Sequence, residues 1–496
     1  MEDLKLRKKN LIMFPLGTVG RDMVYNLFTS QLLTFVLFTR FLTAAQLTAI
    51  TAIMVAARIF DALNDPIMGN IIERTRTRYG KFKPWLVIGI LSTSLVVYLM
   101  FNTKLQGWSF VWFFGVMYFM YSIAYTMHDI SYWGMVPALS SDANARNQFT
   151  ARATLLAGIG GTSASILIPM LTAGSLTIGG SASVAYGRIA LAVAFLAPLF
   201  LCFTIFGARE RRDDMQEKAP HISLKKIFTT IFSNDQLLWV SLIFLIQQLG
   251  NNLVLGGIGS TYIYFEFGYT GGLYSLFTTV GMSATAFLMI FYPAISRHIT
   301  RKKLMGLMMI ISSVGYVLMF LPGLLLPAGN TVKFVFIVIG YMLSNFGQYC
   351  YYLIMMISII NTVEYNEYKT GSRDEAIIAS LRPFITKFSS ALVVAVTSFT
   401  YIILGVTDFT NRISTLEQSC TQGLITETDK LSQIAQVLQG VRSVQSAGLL
   451  IAMTLLPWLL MFLSYILYKK HYKLDEDEYE RICGEIESRR KAGAEA

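Results

Sequence analysis

Long apolar runs dominate the chain. About twelve of them reach the roughly 18–25 residues needed to cross the hydrocarbon core of a membrane as a helix. They lie near residues 11–39, 46–73, 84–101, 109–136, 150–172, 185–207, 236–265, 271–297, 302–326, 332–364, 376–404 and 446–469. Because a soluble core is built from shorter runs, the pattern predicts an all-α membrane protein with about twelve transmembrane helices.

A hydrophilic stretch divides these runs into two sets of six. We therefore predict an N-terminal six-helix half over residues 1–207, a cytoplasmic central loop over 208–235 and a C-terminal six-helix half over 236–470. A tail over 471–496 follows, predicted to be cytoplasmic and either a solvated helix or disordered. The second half also carries a long outside loop, residues 405–445. Its apolar residues from Leu431 to Val441 have helical spacing, which predicts an amphipathic helix in a structured cap.

Composition supports a polytopic protein of the cytoplasmic membrane, and we expect a bacterial one. The chain is 54% hydrophobic and only 14% charged, with a mean hydropathy of +0.52 and a net charge of +11. The basic residues gather in alternate loops, so the positive-inside rule predicts that both termini are cytoplasmic. The charge thus reports topology; it implies weak attraction to anionic lipid headgroups and does not indicate nucleic acid.

Several function classes are disfavoured. The four cysteines are scattered, which argues against disulfides and a cysteine metal site. No Walker, HExxH, CxxC or nucleotide-binding glycine motif is present, so we expect neither an enzyme nor a bound cofactor. No obligate protein partner is indicated. The charged start leads into a full-length run, which fits a retained signal anchor.

Charges interrupt the second run, in the stretch RIFDALNDPIMGN at 58–70. An ionised side chain near the bilayer centre costs roughly 2.5–3.5 kcal/mol, so a compensating role is expected. Asp61, Asn64 and Asp65 have the spacing that places them on one helix face, and Arg58 can share that face.

These side chains offer the hard oxygen ligands that a small cation prefers, and Thr126 of the fourth run can join them. Two close carboxylates cannot both ionise cheaply, so one holds a proton until a cation replaces it. This predicts exchange among Na⁺, Li⁺ and H⁺ at one monovalent cation site. A purely structural ion network is the alternative, which we disfavour because buried ion pairs seldom stabilise more than apolar packing does.

The fourth run contains YTMHDISYWGMVP at 125–137. Asp129 and Trp133 lie one helical turn apart. A carboxylate beside a broad aromatic ring suits a sugar, because the carboxylate accepts hydroxyl hydrogen bonds while the ring covers the apolar face. Asp22 in the first run and Arg152 in the fifth are further candidates, although Arg152 can equally extend towards the membrane surface.

Four segments resemble the glycoside–pentoside–hexuronide:cation symporters, the family that includes the melibiose permease. They are RIFDALNDPIMGNIIERTRTRYGKFKPW at 58–85, GRDMVYNLF at 20–28, YTMHDISYWGMVP and VEYNEYKTGSRDEAIIASLRPFITK at 363–387. The resemblance covers nearly the whole chain except the outside loop and the tail. It implies a major facilitator fold, alternating access by two six-helix bundles, and symport of a sugar or glycoside with a monovalent cation.

The resemblance also implies site residues. The implied cation site is Asp61, Asn64, Asp65 and Thr126. The implied sugar site is Asp22, Asp129, Trp133 and Arg152, with Tyr125 as a candidate lining residue. Arg58 matches an arginine beside the cation carboxylates, Lys387 matches a lysine between the two sites, and the loop at 74–85 matches one that helps hold one conformation closed.

The chain departs from the melibiose permease at two basic positions. Arg21 stands where that protein has lysine, and we count it with the sugar site. Arg382 stands where that protein has an uncharged polar residue. Arg382 and Arg152 together can favour an anionic sugar such as a hexuronide; alternatively Arg382 only pairs with a neighbouring acid, which we favour.

We therefore predict cation:glycoside symport across the cytoplasmic membrane by alternating access, with lipid bound only as the surrounding bilayer. A lipid or lysolipid transporter of the same fold is the alternative. It would need an apolar cleft, whereas Asp22 and Asp129 favour a polyol. A non-transporting sensor or scaffold would not require the intact set of cation ligands.

Overall fold

A computed structural model describes residues 2–140, 142–209, 224–295 and 298–494. It is built from helices throughout these ranges. The eighteen α-helices are α1 Glu2–Thr29, α2 Leu32–Thr39, α3 Ala44–Arg74, α4 Lys83–Asn102, α5 Gly107–Leu139, α6 Ala143–Thr172, α7 Ala182–Cys202, α8 Leu224–Ser233, α9 Asp235–Asn252, α10 Gly259–Phe267, α11 Gly271–Ile295, α12 Arg301–Leu325, α13 Thr331–Thr370, α14 Glu375–Ile403, α15 Val406–Thr421, α16 Glu427–Gln439, α17 Ser443–His471 and α18 Glu476–Ala494.

The prediction of an all-helical membrane protein is confirmed. Ten helical segments within the described ranges are long and apolar enough to cross a membrane. The predicted run at 11–39 is helical as well, as α1 with α2, and the run at 271–297 is helical as far as α11 extends, to Ile295. Of the predicted central loop, residues 210–223 lie outside the described part of the chain, while α8 occupies most of the remainder.

The helices form two compact units. The first comprises Met1–Ala219, Ile263–Leu276 and Val394–Gln445, and the second comprises the rest. In the first unit α1 packs on α6 and α7, while α5 packs on α3 and α4. Glycines allow these close approaches: a Cβ added at Gly160 would lie 2.2 Å from the Val19 carbonyl oxygen.

Capping and turn residues determine where α3 and α5, two helices that carry charged side chains at membrane depth, begin. Thr43 and Gln46 form a reciprocal capping box that starts α3, because each side chain accepts a hydrogen bond from the other residue's backbone amide. The turn that precedes α5 ends at Gly107, whose φ of 60° suits glycine. Both helices then run beyond 30 residues, so polar positions in their middles lie deep within the span.

The predicted outside loop is a helical hairpin, α15 and α16, which we call the cap. It packs on the first unit through side-chain bonds to backbone atoms. Asn411 donates to the Leu42 carbonyl at 2.8 Å and accepts from the Leu42 amide at 2.9 Å. Glu417 accepts from the Ala182 amide at 2.7 Å. The expected amphipathic helix is present as α16, and its Ile434 is buried.

The cap encloses an ion pair. Lys430 Nζ lies 3.3 Å from Glu417 Oε2, and both side chains are wholly buried. Lys430 also donates to the Gly180 carbonyl at 2.6 Å. Burial raises the pKa of the Glu417 carboxyl above its ordinary value, and the charge of Lys430 and the amide of Ala182 oppose that rise.

The tail forms a helix, α18, which is one of the two predicted alternatives, but one face of this helix is docked in the second unit. Ile482 and Ile486 of α18 are buried in the core of this unit. Arg301 Nε donates to Glu476 Oε1 at 3.0 Å, and Lys302 Nζ donates to Asp475 Oδ2 at 2.8 Å. Apolar residues at helical spacing within a charged segment were the signal for this docking.

We predict that the two members of the buried cap pair differ in their effect on stability. Glu417→Gln strands a buried ammonium group and should destabilise the protein by roughly 3–5 kcal/mol. Lys430→Met should cost less, because the Glu417 carboxyl can take up a proton, and its cost should shrink as the pH falls. Thermal unfolding in detergent at pH 5 and pH 8 measures both effects. Lys104→Met, at an exposed loop position, is the control; equal losses for both cap variants at both pH values would contradict the prediction.

Candidate functional site

The carboxylates predicted for a cation site face two hydroxyl groups on the neighbouring helix. Asp61 and Asp65 lie one turn apart on α3, and Ser122 and Thr126 lie one turn apart on α5. Thr126 Oγ1 donates to Asp65 Oδ1 at 3.2 Å, and the Ser122 hydroxyl donates to Asp61. Asp61, Ser122 and Thr126 are buried and Asp65 is half-buried. Two hydroxyl–carboxylate pairs therefore join α3 to α5.

Arg58 and Asn64 flank these pairs. Arg58 Nη1 lies 3.5 Å from Asp61 Oδ2, so the guanidinium partly balances that carboxylate. The amide nitrogen of Asn64 is buried and has no hydrogen-bond partner within the described part of the chain. Asn64 shares α3 with both carboxylates, at the spacing that places it on their face of the helix. The hydrogen bonds and the ion pair thus bring together four of the five predicted cation-site and flanking residues, Arg58, Asp61, Asp65 and Thr126.

Arg21 connects two of the predicted sugar-site carboxylates. Its Nε and Nη2 donate to Asp22 Oδ2 at 3.0 and 2.8 Å, and its Nη1 donates to Asp129 Oδ1 at 3.0 Å. The Arg21 side chain is 5% exposed, whereas those of Asp22 and Asp129 are 22% and 35% exposed. The guanidinium is therefore enclosed, while both carboxylates remain partly exposed.

Aromatic rings line this charged group. The Arg21 guanidinium carbon lies 5.0 Å from the ring centre of Trp133 and 5.2 Å from that of Tyr132. The predicted lining residue Tyr125 packs on Tyr25, with ring centres 5.5 Å apart. Tyr132 is buried, and Trp133 and Tyr125 are half-buried. Charged hydrogen-bonding groups beside aromatic rings suit a sugar, since hydroxyls and apolar C–H faces alternate on a sugar.

The two patches share helix α5. Thr126 and Asp129 are three residues apart, which corresponds to about 4.5 Å along the helix axis. A shift or rotation of α5 that serves one patch therefore moves the other. The Gly89 position, where a Cβ would lie 2.7 Å from the His128 amide nitrogen, holds α4 tightly against this part of α5.

Arg152 lies away from these patches within the first unit, and the two other predicted residues, Lys387 and Arg382, belong to the second unit. Arg152 is exposed on α6, and its Nη1 donates to the Leu11 carbonyl at 3.2 Å, about ten residues along α1 from Arg21. Lys387 is half-buried on α14 in the second unit. Arg382 of the same helix is exposed and donates to the Tyr352 hydroxyl at 2.9 Å. In this structure Arg152 is thus held near the start of α1 and makes no hydrogen bond to Asp22 or Asp129.

Sequence reasoning missed Ser122. Its signal was available: it precedes Thr126 by four residues, so the two share a helix face just as Asp61 and Asp65 do. Serine is common in transmembrane helices, however, and a single hydroxyl in an apolar run carries little information on its own. Only the packing of α3 on α5 shows which way it points.

Arg21 and its two carboxylates lie beside aromatic rings of α5 in the first unit. This combination suits the binding of a polar ligand. The helical fold and these half-buried polar patches define a membrane transport protein of the major facilitator class. Residues 13–476 match the family described as MFS/sugar transport protein, and the chain belongs to that family. The resemblance to the glycoside–pentoside–hexuronide:cation symporters is thereby confirmed. The protein is a multi-pass transporter of the cell membrane and not an enzyme.

Relatives and solved structures agree with this assignment. The lactose permease of Lactobacillus helveticus is 28% identical over 97% of this chain and 72% of its own length. The lactose permease of Leuconostoc lactis is 30% identical over 77% of this chain and 60% of its own length, so the chain matches only part of each relative. A bacterial homologue of the human lysosomal transporter Spinster shares the fold, with TM-score 0.60 and 12% identity over 95% of this chain and 98% of that one.

We predict that Arg21 is needed to keep its two carboxylates together. Arg21→Met should lower the melting temperature, because Asp22 and Asp129 then repel each other without the positive charge that bridges them. The cost should be roughly 1–3 kcal/mol, below that of a fully enclosed pair, since both carboxylates remain partly solvated. Arg152→Met is the matched control, because it removes an exposed arginine with one bond to a carbonyl. A larger loss for Arg152→Met would contradict this view of the site.

Proposed function

We propose that the protein is a cation:glycoside symporter in which the α3–α5 pairs bind the cation and the Arg21 group binds the sugar. The observation that carries this proposal is the position of Thr126 and Asp129 within one turn of α5. Two patches that share a rigid element are well placed to influence each other's affinity. Membership of a sugar transport family supports the sugar as the second ligand.

The cation patch suits a monovalent ion. Asp61, Asp65 and the two hydroxyls present hard oxygens, and Arg58 removes part of the negative charge. A divalent ion would favour a set with more carboxylates; the described residues hold no cluster of three or more histidine, cysteine, aspartate or glutamate side chains suited to a metal ion. Na⁺, Li⁺ or a proton shared between the carboxylates is the expected coupling ion.

The sugar patch favours a neutral glycoside. Asp22 and Asp129 together with Arg21 carry a net charge of about −1, so a hexuronide carboxylate would meet repulsion there. Lactose, for which both relatives are named, is a neutral glycoside. Arg21 makes two bonds to Asp22 and one to Asp129, so an arriving sugar hydroxyl would replace the single bond first. The ring of Trp133 then covers the apolar face of the sugar.

Cation binding and sugar binding are coupled through the charge of the cation patch and through the position of α5. A cation at Asp61 and Asp65 neutralises that patch and steadies α5 through Ser122 and Thr126, which positions Asp129 and Trp133 for the sugar. Each ligand should then tighten the other by the same factor, typically about 5- to 150-fold. Alternating access is expected when both ligands or neither is bound, because each ligand stabilises the α5 position that the other requires.

The direct test of this function removes one cation carboxylate. Asp65→Cys should abolish gradient-driven accumulation of a glycoside, with lactose as the first probe, while leaving the protein folded. Uptake into membrane vesicles with an imposed Na⁺ or proton gradient measures it. Asp408→Asn, an exposed acid of the cap, is the control. Uphill accumulation that survives in Asp65→Cys would exclude this coupling site.

A second test separates neutral from anionic sugars. We predict that Arg382→Gln reduces uptake of a glucuronide and of a neutral glycoside to the same extent, since Arg382 donates to Tyr352 and the sugar patch itself disfavours anions. Parallel uptake assays of glycosides, pentosides and hexuronides, with and without Na⁺, measure this. A selective loss of glucuronide uptake would instead support the hexuronide hypothesis for Arg382 and Arg152.

A further inference from the structure

Ser122 uses its hydroxyl differently from a comparable serine of its own helix. Buried hydroxyls in helices commonly donate to the carbonyl one turn earlier. Ser131 does this, donating to the Met127 carbonyl at 2.7 Å, and Thr51 of α3 donates likewise to Leu47. Ser122, which is 2% exposed, instead donates across the helix contact to Asp61. Its oxygen is therefore directed at the cation patch.

The position of this oxygen matters because of what surrounds Asp61. One oxygen of that carboxylate accepts from Ser122, and the other lies 3.5 Å from Arg58. One turn away, Thr126 bonds to Asp65 in the same manner. The α5 face thus presents two hydroxyl oxygens, one per carboxylate. Each hydroxyl can keep donating to its carboxylate while its lone pairs point at an ion between them.

We propose that Ser122 supplies a further oxygen ligand to the cation site and sets the preference for Na⁺ over Li⁺ and protons. This inference rests on the proposed symport function. The residues implied by the family resemblance offer oxygens from Asp61, Asn64, Asp65 and Thr126, and Ser122 adds one more. Ligand number and cavity size decide selectivity among hard cations. The larger Na⁺ requires more oxygens than Li⁺ does, and a proton requires a single carboxylate.

The test compares cations in the same assay. Lactose, or another glycoside that the wild-type protein binds, is titrated onto purified protein with Na⁺, Li⁺ or protons varied at constant ionic strength. Ser122→Ala should raise the half-saturating Na⁺ concentration by roughly 10-fold or more, the effect typical of losing a group that supports an ion site. It should change the half-saturating Li⁺ concentration by less than about 3-fold, because fewer oxygens satisfy Li⁺. Dependence on pH should be unchanged.

Matched variants separate ligation from structure. Ser131→Ala removes an equally buried hydroxyl from the same helix and should leave all three dependences unchanged. Ser122→Thr keeps the oxygen and should restore Na⁺ dependence. Ser122→Cys keeps the size but replaces oxygen with a soft sulfur, so it should behave as Ser122→Ala does. Li⁺-dependent sugar binding in each variant shows that it is folded.

Three outcomes would overturn the proposal. Equal weakening of Na⁺ and Li⁺ dependence in Ser122→Ala would make Ser122 a positioning residue for Asp61 without a role in ion selection. An unchanged Na⁺ dependence would remove it from the site. A wild-type protein whose sugar binding responds to protons but to neither alkali cation would also exclude it, leaving symport intact. By contrast, a wild-type protein with no cation or proton dependence would refute the proposed coupling itself.

Discussion

Every charge at membrane depth must find its partner inside the protein, and this constraint organises α1, α3 and α5. Hydrocarbon offers no hydrogen bonds, so a carboxylate there is tolerable only beside a donor or a cation. Asp61 and Asp65 find hydroxyls on α5, while Asp22 and Asp129 find one guanidinium on α1. The helix contacts that satisfy the charges are thus the contacts that bring the two patches together. The same bonds also join α3 and α1 to α5.

This arrangement differs from a purely structural ion network in its openness. Arg21 is enclosed, yet Asp129 keeps about a third of its side chain exposed. A network evolved only for stability would close over both partners, because partial solvation weakens a pair. An enclosed cation with a half-open carboxylate can instead exchange one bond for a ligand bond while the rest of the group holds. The same reasoning applies to Asp65, which is half-buried beside a fully buried Asp61.

The sequence predicted features that depend on periodicity, namely the spans and the residues that share a helix face. It predicted few contacts between helices. The spans and the shared face of Asp61, Asn64 and Asp65 followed from run length and helical spacing. The bridge from Arg21 to Asp129 links residues 108 positions apart, and no local pattern encodes it. Arg152 was grouped with the sugar residues as a polar group at membrane depth and by the resemblance, whereas its side chain donates to the Leu11 carbonyl of α1. The docking of α18 escaped notice because two isoleucines were outweighed by the charges around them.

The cap attaches to the helices beneath it mainly through bonds from its side chains to backbone atoms. Asn411 binds backbone atoms of Leu42, Glu417 binds the amide of Ala182, and Lys430 binds the carbonyl of Gly180. Main-chain atoms are the same for nearly every amino acid, so these four bonds do not depend on the side chains of the receiving surface. Side-chain contacts add to them, since the Ser181 and Thr421 hydroxyls bond each other at 2.7 Å and the rings of Phe265 and Phe409 lie 5.7 Å apart. Correlated substitution should therefore be weak across the four main-chain bonds, and contact maps inferred from sequence variation would under-report that part of the attachment.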